Sequence, residues 1–184
     1  MKKIASLALA IYLACPLSAQ TIANMKDLTA GQKAAATSVK LTGTLTTKGN
    51  SDIRQLRDLC WQLKHVDLST ANCPTLPANA FHSRHRLVSV VLPTNLKSIG
   101  TQAFFACDAL KQLTFPATLE EVGAAAFSGC SSLESITIEG APRLGGFAFR
   151  GCNNLRSIKL LSKVPPQCDA TAFEGVDIEK CRIE

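Results

Sequence analysis

Ala126-Phe127-Ser128-Gly129-Cys130-Ser131-Ser132-Leu133-Glu134-Ser135-Ile136-Thr137-Ile138 is one turn of a pattern that the chain repeats. The Ala-Phe pair recurs as Ala80-Phe81, Ala103-Phe104 and Ala148-Phe149, at steps of 23, 23 and 22 residues (81→104→127→149). Each pair leads into Leu-x-x-apolar-x-apolar: Leu87/Val90/Leu92, Leu110/Leu113/Phe115, Leu133/Ile136/Ile138 and Leu155/Ile158/Leu160. Apolar residues two apart predict a short strand with alternate side chains turned inward. Two copies continue into a second apolar pair, Leu96/Ile99 and Leu119/Val122.

Self-similarity at a period in the twenties with this leucine spacing predicts a leucine-rich-repeat solenoid of α/β type. Short parallel strands stack coil on coil, joined by short helical turns and loops. Each coil buries its apolar edge only against its neighbours. The repeats run back to Leu63/Val66/Leu68, 24 residues before Leu87, and forward to Ala172-Phe173, 24 after Phe149. Pro74 and Pro77 predict an irregular segment after the first strand. In the fourth copy Pro142 and Gly145-Gly146 stand where the second strand belongs. The copy at Phe173 reads as incomplete, with Cys181 and Ile183 starting one more strand before Glu184.

The chain has 184 residues and a formal charge of +6, a length that suits one domain. Lys2 and Lys3, the uncharged run Ile4 to Ala14 and Leu17-Ser18-Ala19 read as an export signal cleaved before Gln20. That run has 11 residues (4→14), whereas a helical span needs about 20. A lipoprotein signal acylated at Cys15 is the competing reading; Ala14 suits it and Tyr12 does not. Loss of residues 1–19 takes Lys2 and Lys3 and no acid, which lowers +6 to +4. A mildly basic, exported chain is not a nucleic-acid binder, and no other stretch is apolar enough to form a transmembrane segment.

Residues 20–62 read as an N-terminal cap of strand plus helix, and 63–184 as repeats of about 23 residues. Within the cap, Asp27 to Ala36 is a weak helix and Val39/Leu41/Leu45 alternate as a strand. Lys48-Gly49-Asn50 signals a turn. Ile53, Leu56, Leu59/Cys60 and Leu63 recur at helical spacing, with Asp52, Arg54, Arg57 and Asp58 on the opposite face. This helix is expected to close the open end of the array.

Cleavage leaves seven of the eight cysteines, so at least one is unpaired within a monomer. Cys107, Cys130 and Cys152 share one phase of the repeat and are expected as free, buried thiols. Cys60-Cys73 and Cys168-Cys181 are the disulfide candidates, each 13 residues apart. A loop of that size contributes about 3 kcal/mol when unstrained.

The quoted repeat and Leu92-Pro93-Thr94-Asn95-Leu96-Lys97-Ser98-Ile99-Gly100 resemble the BspA-like leucine-rich-repeat proteins that bacteria export. Leu41 to Leu45, Asp52 to Leu59 and Leu63 to Ser69 resemble that family's cap, so the resemblance covers most of residues 39–177. It implies an adhesin-like role, secreted or at the cell surface, with extracellular-matrix or other host proteins as partners for some members. It supplies no catalytic residues. The chain departs from the family pattern after Phe173, where relatives continue into a further strand and a short helical end.

Between the core positions of each strand the side chains point outward. The expected binding strip is His65/Asp67, Ser89/Val91, Gln112/Thr114, Ser135/Thr137 and Ser157/Lys159, a polar and nearly neutral face. His65 and Asp67 share that face with Ser69, but two residues on one strand do not make a triad. His82-x-x-His85 lacks a nearby carboxylate or thiolate cluster for a metal, and Arg84-His85-Arg86 reads as a solvated turn. Trp61, the single tryptophan, reads as a packing residue rather than a sugar platform. With no Gly-rich phosphate loop, acid pair or Cys-x-x-Cys, no cofactor and no enzymatic activity are expected. The leading expectation is a non-enzymatic module that binds an extracellular protein or glycan. The alternative is a structural envelope component that docks, or self-associates, through its C-terminal edge.

Overall fold

A computed structural model describes residues 20–22, 25, 28–46 and 51–184. The export signal, Cys15 and the Lys48-Gly49-Asn50 turn lie outside the described residues. From the N-terminus, β1 (Gln20–Ile22) leads to α1 (Ala30–Ala35). Next, β2 (Ser38–Leu41) and β3 (Gly43–Thr44) lead to α2 (Asp52–Leu59). The following coil carries β4 (His65–Asp67), β5 (Ala71–Asn72) and β6 (Thr75–Leu76). The next two carry β7 (Ser89–Val91) with β8 (Ser98–Ile99), then β9 (Gln112–Phe115) with β10 (Glu121–Val122). Then come β11 (Ser135–Ile138) with β12 (Arg143–Leu144), and β13 (Ser157–Leu160) with β14 (Gln167–Cys168). A 3-10 turn, Ile178–Lys180, precedes β15 (Arg182–Ile183).

The strands stack in two parallel walls. One sheet of eight has the order β1-β2-β4-β7-β9-β11-β13-β15, and one of five has the order β14-β12-β10-β8-β6. Register follows the repeat: Ile136 lies opposite Leu113 and Ile158, and Val122 opposite Ile99 and Leu144. The second wall is more regular than the prolines predict. β6 forms between Pro74 and Pro77, and β12 forms after Pro142, where a break was expected. A two-residue strand needs few donors, and these prolines act as acceptors. Pro74 O receives Lys97 N at 2.8 Å, and Pro142 O receives Gln167 N at 3.1 Å. The coils approach so closely here that a Cβ on Gly123 would lie 2.6 Å from the Thr101 nitrogen.

The five phenylalanines of the Ala-Phe units form one column. Centroid separations from Phe81 through Phe104, Phe127 and Phe149 to Phe173 are 5.2, 5.1, 5.4 and 5.0 Å, with interplanar angles of 16° or less. Phe115 from β9 tilts against Phe127 at 5.5 Å. Phe81, Phe104, Phe115, Phe127 and Phe149 are fully buried.

The N-terminal region departs further from expectation. α1 is shorter than Asp27 to Ala36, because Thr29 and Gln32 close a capping box that starts it at Ala30. The predicted strand through Leu45 breaks into β2 and β3. Ser51 caps α2 through the Arg54 nitrogen at 3.1 Å. With β1 and β2 both outside β4, α2 is not the outermost element: α1 packs on it from one coil further out.

Asp52, expected on the solvent face, is buried at 2 % exposure. Its carboxylate receives Met25 N at 3.1 Å, Thr46 N at 3.0 Å and Thr46 Oγ1 at 2.8 Å. Burial alone would raise its pKa, but these hydrogen bonds outweigh it and hold the group below the usual value of 3.8. Lys33 is buried nearby and donates to Gln55 Oε1 at 2.8 Å.

Phe127→Ala is expected to cost about 3–5 kcal/mol, measured by chemical denaturation, because it breaks the column between two stacked rings. Asp52 contributes stability above the unfolded carboxylate value and loses it as pH falls through its lower folded value. Asp52→Asn should therefore be less stable than the parent at pH 7, with the gap closing below about pH 4.

Candidate functional site

The outward residues of the eight-stranded sheet form columns set by the strand register. His65, Ser89, Gln112, Ser135 and Ser157 follow one another across β4, β7, β9, β11 and β13. Asp67 pairs with Val91, and Thr114, Thr137 and Lys159 continue in the second column. A shallow groove of about 410 Å³ crosses β7, β9 and β11. Six predicted strip residues line it: Ser89, Val91, Gln112, Thr114, Ser135 and Thr137. His65, Asp67, Ser157 and Lys159 lie beyond its ends.

Ser69, Thr94, Pro116 and Glu139 also line the groove, and the alternation of the strands does not point to them. Their signal is positional, since each stands just past the C-terminal end of a strand. Val91 at 49 % exposure is the one large apolar side chain exposed in the groove among the described residues. The lining offers hydroxyls and one amide, which both donate and accept hydrogen bonds, and Glu139 is its one charge.

His65 and Asp67 serve separate partners. His65 Nδ1 lies 2.8 Å from Ser89 Oγ, while Asp67 pairs with Lys40 Nζ at 2.8 Å and receives Ser69 N at 2.8 Å. Burial opposes ionisation of Asp67, but the bonds from Lys40 and Ser69 prevail and lower its pKa. His82 and His85 also diverge. His82 stacks on Phe105 at 4.9 Å, and His85 Nδ1 lies 2.9 Å from Asp108 Oδ2. No group of three or more potential metal ligands gathers among the described residues.

Arg84 is not part of a simple solvated turn. It occupies the coil position held elsewhere by Cys60, Cys107, Cys130 and Cys152, and its Nη1 donates to Arg57 O at 2.7 Å. Trp61, read as a packing residue, is 58 % exposed. A second groove of about 440 Å³ lies on the five-stranded wall, between Glu121, Arg143, Gln167 and Asp169 over a glycine floor.

All seven described cysteines are free thiols, so the expected Cys60-Cys73 and Cys168-Cys181 bridges are not formed. Cys168 belongs to β14 in one wall, while Cys181 adjoins β15 in the other. Cys60 ends α2, and Cys73 donates to Thr75 O at 3.4 Å. Cys107, Cys130 and Cys152 are buried as expected, each bonded to a carbonyl of the preceding coil: Phe81 O at 3.1 Å, Phe104 O at 3.2 Å and Phe127 O at 3.3 Å. Burial pushes Cys107 and Cys152 up to about 12 and Cys130 well above its ordinary value.

A family profile described as "BspA type Leucine rich repeat region (6 copies)" matches residues 74–184. The chain belongs to this family. Repeats of this type suggest a protein-interaction or surface module. It is similar in structure to a Treponema pallidum (T. pallidum) leucine-rich-repeat protein, with 25% identity and a TM-score of 0.55. That alignment covers 69% of this chain and 60% of the other. A Bacteroides ovatus leucine-rich-repeat protein shares the fold at 23% identity and a TM-score of 0.54, over 91% of this chain and 42% of its own. The chain thus spans less than two thirds of either. A comparison with curated proteins finds no match. Among the described residues no helix is long and apolar enough to cross a membrane.

Thiol reagents at pH 8 should modify Cys168 and Cys181 in the folded protein. The five buried thiols should react only after denaturation. Rapid modification of Cys130 in the native state would contradict the packing described.

Proposed function

We propose that this BspA-type chain is an exported, non-enzymatic interaction module that takes an extracellular protein or glycan on its strand face and adjoining loops. The observation that carries the reading is the groove across β7, β9 and β11. It sets Ser89, Gln112, Thr114, Ser135 and Thr137 in register on a rigid wall. Its volume of about 410 Å³ falls in the range of sites that hold a small ligand or a protruding loop. A standard protein interface buries about 800 Å² per partner, more than this strip offers, so Ser69, Thr94, Pro116 and Glu139 would extend the contact. Export rests on the sequence of residues 1–19. A non-catalytic role rests on the separate engagement of His65 and Asp67.

The test compares the parent with a variant carrying Lys at Gln112, Thr114, Ser135 and Thr137. Both are screened against extracellular-matrix proteins, mucins and glycans. The parent should bind one class saturably, and the variant should bind it at least about tenfold more weakly, or about 1.4 kcal/mol, with an unchanged melt. Equal binding by both would remove the strand face from the reading. No binding by either would favour docking through the C-terminal edge.

A further inference from the structure

The sequence reads Trp61 as a packing residue rather than a sugar platform, and the structure turns it out to solvent at 58 % exposure. It is the single tryptophan of the chain and lies outside residues 74–184, which carry the family repeats. The repeat register places polar residues in the same column. Trp61, His85 and Asp108 each precede a ladder leucine by two residues: Leu63, Leu87 and Leu110. The coils they open are joined by Val88 N to Lys64 O at 2.7 Å and Lys111 N to Val88 O at 3.3 Å. Adjacent strands lie about 4.8 Å apart, so the three form one column along the rim that feeds the strand face.

The polar neighbours are fixed by each other. His85 Nδ1 holds Asp108 Oδ2 at 2.9 Å, and Arg86 Nη1 donates to Gln62 Oε1 of the coil before. Leu59, at 44 % exposure, is the other large apolar side chain exposed nearby. The remaining exposed large apolar residues among those described, from Val91 to Ile183, belong to later coils. A protein hot spot puts its aromatic anchor at the centre of a wide contact that excludes water. Here one exposed ring stands in register one coil from the His85 imidazole and two coils from the Asp108 carboxylate, and next in sequence to Gln62, whose amide the Arg86 guanidinium holds. That combination fits a ligand with an apolar face and a hydroxylated edge, small enough to rest on one indole.

We propose that Trp61 is a stacking platform for a pyranose ring of an extracellular glycan, with Arg86, Gln62 and the His85–Asp108 pair meeting its hydroxyls. The site is separate from the groove across β7, β9 and β11 and stands whether or not that groove binds.

Trp61 reports directly on the proposal, because its emission is the only tryptophan signal. The full chain is titrated with lactose, diacetylchitobiose, mannobiose and sialyllactose while emission is followed. At least one sugar should shift or quench the emission saturably. Binding of that sugar, read by calorimetry, should weaken at least about tenfold in Trp61→Ala, a change of about 1.4 kcal/mol. It should be kept largely intact in Trp61→Tyr. Arg86→Ala should weaken it with emission maximum unchanged in the free protein. Thermal melts of the variants should match the parent, because the ring is exposed. Emission insensitive to all four sugars at millimolar concentration would overturn the proposal. Sugar binding undiminished in Trp61→Ala would overturn it as well.

Discussion

The structure depends on one constraint, that each coil must satisfy both its backbone and its apolar edge against the coil beside it. Strand spacing of about 4.8 Å sets the step. Everything in the interior conforms to that step. The phenylalanine rings stack at 5.0 to 5.4 Å, the thiols of Cys107, Cys130 and Cys152 reach one coil back, and Gly123 gives way to the Thr101 backbone. A side chain that does not fit the step disturbs two neighbours rather than one. This explains how a chain with short strands and few helices keeps a continuous core.

The same step shapes the outer surface. Because register is fixed inside, the residues between core positions are placed in rows outside without further help. Serine, threonine and glutamine in the middle rows leave a shallow, weakly charged trough, and ion pairs such as Lys40–Asp67 sit beyond its end. An outer surface of this type can change by substitution at outward positions while the scaffold stays the same.

The repeat was legible because its rule is local and repeated. Phe81 to Phe149 and the Leu-x-x-apolar-x-apolar units through Ile138 announce their own burial, Ile158, Leu160 and Phe173 at the C-terminal end are half-buried, and six strip residues line the groove as alternation requires. What was not legible depends on single long-range meetings. Asp52 looks like a solvent-facing helix residue until Met25 and Thr46 fold over it. Trp61 has the composition of a core residue but the coil position of His85 and Asp108, and position decides. Prolines 74 and 142 suggested irregularity, yet the second wall uses their carbonyls and never needs their missing N–H. The cysteine spacing suggested bridges, but equal separation in sequence places Cys168 and Cys181 in different walls.

Stacking by neighbours alone also has a mechanical side. The hydrogen bonds between coils run along the long axis, and the chain passes through the coils in strict order. A molecule held at one end and pulled at the other is loaded one coil at a time, like a zip rather than a clamp. Each coil that peels away releases about 23 residues, or roughly 75 Å of slack chain. Loss of an end coil in this geometry leaves the remaining coils, with their outward rows, still stacked on one another.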